Sequence, residues 1–450
     1  MCYNKNMKPS FFFYDLETSG LKPRADRIMQ FAGQRTDLNL NPIGESVDIL
    51  VKMTDDALPS PQAINVTGIT PQKTLAEGIK EAEFCKKVTE EIFTPGTIVL
   101  GYNTVRFDDE FMRAIFWRNF YDPYEWQWKD GRSRWDMLDV VRLTRALRPE
   151  GINWPVSAEG KPTNRLEFLT KENGLEHTHA HDALSDVYAT IAVAKLIKDK
   201  QPSLFNFLMK NRGKREIAAM VNLENPVPVV YASGRYANEF NKTTVVVPLA
   251  PSKNGNILVY DLRYNLEEIL KDDEPKFYPV VKELCYNKCP AVAPISVLSK
   301  DDGWGKIRLD EDTVRRNLET LKKHPEFAEK MRTLNEERSE FPAAPEPEQA
   351  LYDGFLNDKD RLKVEAVRNA EPSKLADFHP EFDDERLPEL LLHYKGRNFP
   401  ESLSEEEMEE WEGYRMRRLQ AQAPMYLNEL ENVEDDFIKE ELRLYIESVV

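Results

Sequence analysis

Residues 11–14, Phe-Phe-Phe-Tyr, run directly into Asp15-Leu16-Glu17-Thr18. An apolar run of this kind belongs to an interior strand, and on a strand side chains two apart share a face. Asp15 and Glu17 therefore point the same way, with their Cα atoms about 6.5 to 7 Å apart. Two carboxylates side by side on a buried strand repel each other and lose hydration, at several kcal/mol, unless a cation joins them. Oxygen donors of that type suit Mg²⁺ or Mn²⁺. A strand end entering solvent would carry the same two acids with no ligand at all.

The strand opens an alternation of strand and helix patterns that is expected to form an α/β domain over residues 1–200. Residues 11–18, 27–36 and 46–52 read as a meander, and 75–93 as a helix. Residues 97–102 read as a buried strand, with helices at 108–121, 136–147, 165–173 and 180–200. After Gln201-Pro202 the texture changes. A short helix to residue 211 leads into strand-like pieces at 227–232, 243–250 and 256–261, then helices at 311–321 and 326–334. This predicts a small β-rich domain over 201–348. Pro342-Ala343-Ala344-Pro345-Glu346-Pro347 reads as a linker. Residues 349–450 are helical in pattern and rich in acid, with a helix start at Ser402-Leu403-Ser404-Glu405. No repeat at a fixed period is visible, and 450 residues can bury several cores without disulfide staples.

The net charge of −17 argues at first against a nucleic-acid partner, because phosphate binding needs clustered Lys and Arg. The excess is uneven, however: the last hundred residues hold 13 basic and 26 acidic side chains. The remainder is close to neutral and leaves room for basic grooves. With a hydrophobic share of 41% and only about six apolar residues in the first such run, neither a membrane span nor a secretory signal is expected. Four cysteines suit reduced thiols, so the expected location is the cytoplasm.

Further acids stand at element boundaries. Asp108 follows the 97–102 strand where the chain turns into a helix, a position at which an acid commonly offsets the helix dipole. If a helix begins near His181, Asp186 lies on its inward side beside Ala183, Val187 and Thr190, and it wants a partner there. His177, His179 and His181 alternate, but no cysteine lies nearby, which disfavours zinc. His177 and His179 read as exposed loop residues, and Cys285 and Cys289, lacking a second ligand pair, as ordinary thiols. Residues 113–134 interleave Arg113, Arg118, Lys129, Arg132 and Arg134 with Phe116, Trp117, Phe120, Tyr121, Tyr124, Trp126 and Trp128. Single-stranded nucleic acid is gripped by such mixtures, cations following the backbone and rings stacking on bases. Phe116 and Phe120, four apart, fit a core equally well, whereas Tyr124 and Trp128 follow the helix-ending Asp122-Pro123.

Taken together, Asp15, Glu17, Asp108, His181 and Asp186 resemble the site of the DEDDh 3′→5′ exonucleases in order and context. Ile69-Thr70-Pro71, Gly101-Tyr102-Asn103 and the five-residue spacing from His181 to Asp186 add to the likeness. Residues 119–124, 146–155 and 351–355 further resemble the bacterial exodeoxyribonuclease I family, so the likeness spans all three segments. It implies a ribonuclease H-like mixed-sheet exonuclease domain, an SH3-like β-barrel domain and a C-terminal α-helical domain. The implied activity is processive 3′→5′ digestion of single-stranded DNA to 5′-mononucleotides, in DNA repair and recombination, by a monomer.

The resemblance also implies roles. Asp15, Glu17, Asp108 and Asp186 would hold two Mg²⁺ ions, for which Mn²⁺ substitutes, with Asp15 bridging them. His181 would take the proton from the attacking water, a role that suits a side chain titrating near working pH. Glu17 and Thr18 would lie by the terminal nucleotide, and Arg165 at the scissile-end phosphate. Arg113, Tyr124, Trp128 and Arg142 would contact the strand. Arg148 and Phe207, the latter replacing a tyrosine common in the family, would meet the C-terminal tail of single-strand-binding protein. Arg415, Arg417 and Arg418 either face the DNA or form a solvated helix face. An exoribonuclease or a proofreading subunit would share the five-residue site but needs little beyond the first two hundred residues. A non-catalytic strand-binding scaffold would not need the complete acid set.

Overall fold

A computed structural model of the chain describes residues 9–177, 182–271, 279–337 and 343–450. Five strands, β1 (Ser10–Thr18), β2 (Ile28–Thr36), β3 (Val47–Leu50), β4 (Thr97–Leu100) and β5 (Ser133–Arg134), form a mixed sheet in the order β3-β2-β1-β4-β5. The central strand β1 runs antiparallel to β2 and parallel to β4. Its two faces enter different cores. Phe11 and Phe13 meet the helices Met137–Leu147 and Ala183–Lys200, while Phe12, Tyr14 and Leu16 join Phe31, Phe84, Phe93 and Phe116 on the other side. Burial on both faces explains why β1 reads as a continuous apolar run.

The expected helix over 75–93 is in fact broken. Helices Pro71–Glu77 and Glu81–Lys87 and a wide turn at Val88–Ile92 replace it. At Gly78 a Cβ atom would lie 2.5 Å from the carbonyl of Thr74. The next residue, Ile79, leaves the helix to donate to Leu50 O at 2.9 Å and to accept from Lys52 N at 2.9 Å. That pairing is set by a strand distant in sequence, which helical periodicity does not report. The helix Pro61–Thr67 and the short β5 are additional to the sequence expectation.

The second segment contains an antiparallel sheet of β6 (Val229–Ala232), β7 (Thr243–Pro251), β8 (Ile257–Asp261), β9 (Val281–Leu284) and β10 (Ala291–Pro294), ordered β10-β6-β7-β8-β9. The Val-rich β7 alternates: Val245 and Val247 enter the core shared with the first segment, and Val246 packs with Ile217, Tyr231 and Val259 behind the sheet. β9 and β10 add to the three strands expected there.

The acid-rich third segment folds into helices, chiefly Asp358–Asn369, Leu387–Asn398, Glu405–Leu430 and Asp436–Val449. Ser404 and Glu407 form a reciprocal capping box at the expected helix start. The segment seats itself on the first by two apolar contacts. Leu419, Tyr426 and Leu442 pack on Met29, Ile64 and Ile69, and Leu390 and Tyr394 pack on Trp117 and Phe120.

Between these contacts lies a fully enclosed ionic cluster. Arg27 meets Asp56 at 2.9 Å and Glu348 at 3.2 Å, and Arg397 meets Asp56 at 3.1 Å and Glu348 at 2.5 Å. Arg418 pairs with Glu348 and, at 3.2 Å, with Glu346. Burial alone would raise the carboxyl of Glu348, but Arg27, Arg418 and Arg397 outweigh it and hold Glu348 below the usual carboxylate range. Arg418 is thus neither on a solvated face nor directed at a ligand, and Arg415 is bound to Glu412 at 2.7 Å. Of that expected trio only Arg417 is exposed. Among the described residues, no helix is long and apolar enough to cross a membrane.

Candidate active site

Asp15 and Glu17 continue the face of β1 that carries Phe11 and Phe13, opposite Ala32 and Gln30 of β2. The register slips between Glu17 and Thr18, a bulge that ends regular pairing where the acids emerge. Across this face lies the helix Ala183–Lys200. Asp182 caps it by accepting from Ser185 N at 2.9 Å, and Asp186 projects from its first turn. Asp15, Glu17 and Asp186 thereby bring carboxylate oxygens within 4.8 Å of one another.

The electrostatics follow from that crowding. Burial, then Asp108 and Asp186, push the carboxyl of Asp15 well above the ordinary carboxylate range. Burial, then Asp15, Asp186 and Asp182, push Glu17 up to about 9. Asp15 and Glu17 thus favour bound protons, and a divalent cation relieves the same repulsion with better geometry.

Asp108 stands one layer back. It opens the helix Asp108–Arg118, accepts from Leu16 N at 3.1 Å, and is itself raised well above its ordinary value, chiefly by burial. The preceding turn is built around Gly101, where a Cβ atom would lie 2.4 Å from the carbonyl of Tyr14. Asn103 takes a left-handed conformation, with φ of 72°. Asp136 then locks the turn from below, accepting from Asn103 N and Val105 N at 3.1 Å each while capping the helix Met137–Leu147 through Leu138 N at 2.8 Å. Asp109, next to Asp108, accepts from the Tyr14 hydroxyl at 2.6 Å and pairs with Arg134. Sequence reasoning missed Asp136 and Asp109. The helix start at 136 was legible, but the reach of its cap back to residues 103–105 was not.

His181 lies outside the described residues, as does His179. His177, expected on an exposed loop, has a side chain only 5% exposed, and its Nε2 is 2.6 Å from Asp186 Oδ1. Its Nδ1 is 3.1 Å from Thr170 Oγ1, so a threonine hidden in the helix Leu166–Glu172 draws the ring inward.

A cleft of about 500 Å³, within the range of ligand sites, opens beside Asp15 and Asp186. Its walls include Arg142, Arg165 and His177 from the first segment and Asn238 and Lys242 from the second. Arg165 is largely exposed, 2.5 Å from Glu167, with its guanidinium over the Phe168 ring. Arg142 is held by Asp139 at 2.6 Å. Thr18 is buried beside Glu17 and donates its hydroxyl to Gly20 O at 2.8 Å.

The aromatic and basic segment divides sharply. Phe116, Trp117, Phe120 and Trp126 are core residues. Arg118 is fully occupied by Glu81, Arg134 by Asp109, and Arg132 by Asp130 and the carbonyl of Phe93. Most of the apparent strand-binding pattern is therefore internal. Trp128, 63% exposed, and the half-buried Tyr124 remain on the surface. Arg113 is buried beneath Tyr124, bound to Glu110 at 2.7 Å and Gln127 at 3.0 Å. Arg148 and Phe207 are both half-buried, Arg148 donating to Leu147 O at 2.7 Å and Val297 O at 3.3 Å.

Comparison with known proteins covers the same three segments. Family models match as an exonuclease over residues 12–194, an exonuclease I SH3-like domain over 212–337 and an exonuclease I C-terminal domain over 345–446. The chain is 41% identical to exodeoxyribonuclease I of Haemophilus influenzae over 433 residues, covering 92% of this chain and 91% of that one. Escherichia coli exonuclease I in complex with a dA16 oligonucleotide superposes with a TM-score of 0.92 at 38% identity, over 98% of this chain and all of the other. A crystal structure of single-strand-binding protein and exonuclease I with the inhibitor CFAM gives a TM-score of 0.90 at 38% identity, over 99% of this chain and all of that one.

Proposed function

The chain belongs to the exodeoxyribonuclease I family, and from that premise we propose that it digests single-stranded DNA processively from the 3′ end, releasing 5′-mononucleotides. The observation that carries the reading is the meeting of Asp15, Glu17 and Asp186 from distant parts of the chain in one crowded carboxylate group. An all-carboxylate donor set of this kind fits hard divalent cations and offers nothing to thiophilic ones. Asp15, Glu17, Asp108 and Asp186 would hold two Mg²⁺ ions, with Mn²⁺ able to substitute. When bound, such ions supply an activated water and neutralise charge on the scissile phosphate and the leaving 3′ oxygen.

The remaining roles belong to the chain's own groups. His181 receives the proton of the attacking water at a ring nitrogen. Glu17 and Thr18 seat the terminal nucleotide, and Arg165 binds its phosphate. Arg142 lines the approach to the cleft, while Tyr124 and Trp128 supply stacking faces with Arg113 fixing the Tyr124 ring. Arg148 and Phe207 would receive the C-terminal tail of a single-strand-binding protein. The segments 1–200, 201–348 and 349–450 act as one monomeric cytoplasmic enzyme of DNA repair and recombination.

The deciding experiment offers 3′- and 5′-labelled single strands, duplex DNA and RNA to the protein with and without EDTA. Release of labelled 5′-mononucleotide from the 3′ end of single-stranded DNA, lost in EDTA, is expected. Preference for RNA or duplex, or release that survives chelation, would overturn the proposal.

A further inference from the structure

Three carboxylates that face one another push one another away. The backbone of Asp186 is fixed by the capped first turn of its helix, and its side chain must be held toward Asp15 and Glu17 against their repulsion. One group placed to hold it is His177, which belongs to a different element, the stretch following the helix Leu166–Glu172. Its ring is bound at both nitrogens, 2.6 Å from Asp186 Oδ1 and 3.1 Å from Thr170 Oγ1. Thr170 is wholly buried, and its hydroxyl oxygen lies 3.0 Å from Leu166 O and 3.1 Å from Glu167 O. A hydroxyl has one hydrogen. Donated to His177 Nδ1, it leaves the ring's own proton on Nε2, which donates to the Asp186 carboxylate. A chain of contacts thus runs from the helix backbone through Thr170 and His177 to Asp186.

We propose that His177 is a positioning residue for the metal centre: anchored through Thr170, it holds the carboxylate of Asp186 facing Asp15 and Glu17. The proposal rests on Asp186 being a metal ligand, as in the preceding reading. It has a rival with the opposite sign. If the imidazole merely sat where a cation belongs, removing it would tighten metal binding; if it positions the carboxylate, removing it loosens metal binding.

The test is calorimetric titration of the full-length protein with Mn²⁺, free of DNA. His177→Ala is expected to weaken Mn²⁺ binding about 10- to 100-fold, the range typical when a group orienting a metal ligand is lost. Thr170→Val, which keeps the shape and removes the hydroxyl, weakens it in the same direction by less, and Thr170→Ser restores it. His177→Gln, which retains an amide donor, recovers part of the loss. Melting temperatures in EDTA identify any variant that fails to fold, and the near-isosteric Thr170→Val keeps the question open to measurement. In digestion assays the His177→Ala defect appears in kcat at low Mn²⁺ and shrinks as Mn²⁺ is raised, with KM for DNA unchanged. Unchanged or tightened Mn²⁺ binding in His177→Ala overturns the proposal while leaving the nuclease reading intact. Failure of the unaltered protein to bind Mn²⁺ at all removes both.

Discussion

Glu17 shows how much of this chemistry is set by a single side chain's surroundings. Its carboxyl is raised from 4.5 to about 9, first by burial and then by Asp15 and Asp186. The metal-free fold therefore binds more protons than the unfolded chain across that interval, so stability present at low pH is lost as pH rises toward 9. Melting temperature in EDTA should fall between about pH 5 and 9, and by less in Asp15→Asn; a flat profile would contradict the crowding. Trp126 and Trp128, two residues apart, make a second contrast. Trp128→Ala should weaken oligonucleotide binding by about 1 to 3 kcal/mol with melting unchanged. Trp126→Ala should lower unfolding free energy by about 3 to 5 kcal/mol in denaturant titrations. In the sequence the two tryptophans sit in one basic, aromatic stretch and cannot be told apart. Only the fold turns one toward Phe93 and Phe116 and the other toward solvent.

At the scale of elements, what was legible is what local pattern controls. The apolar run ending in two same-face acids specified β1 and two of the three clustered carboxylates, and Ser404 specified the start of the longest helix. What escaped was set across distance: Gly78 breaking a helix so that Ile79 can pair with Val51, and Asp136 reaching back to bind the turn that presents Asp108. His177 belongs to the same class, since alternating histidines in a polar stretch carry no sign that Thr170 and Asp186 will close on one of them. The Asp136 cap yields its own prediction. Asp136→Ala removes a helix cap and strands two backbone N–H groups, so it should destabilise the protein by about 2 to 4 kcal/mol in urea titrations. Asp136→Asn, which keeps an acceptor oxygen, should recover most of this.

Across the whole molecule, the three segments are bound by contacts of different kinds. The first and second share one apolar core, and the first and third share apolar patches around a sealed group of arginines and acids. The sequence shows a strongly acidic third segment, and nothing in it indicates that its Arg418, or Glu348 just before it, is spent internally. Glu348→Ala leaves Arg27, Arg397 and Arg418 short of a counter-charge in an interior site and should destabilise the protein by about 3 to 5 kcal/mol, read by denaturant titration. Arg148→Glu, at the seam of the first two segments, should leave digestion of naked DNA unchanged and abolish calorimetric binding of the acidic tail peptide of single-strand-binding protein.

That sealed group of arginines and acids also limits how the chain can be dissected. Cut before Glu348, the nuclease portion would keep Arg27 and Asp56 but lose Glu348, Arg397 and Arg418, along with the helices that shield them from water. Such a fragment is not a transplantable module: expressed alone it should misfold or precipitate, and a chimera built from it must import the matching carboxyl-terminal segment.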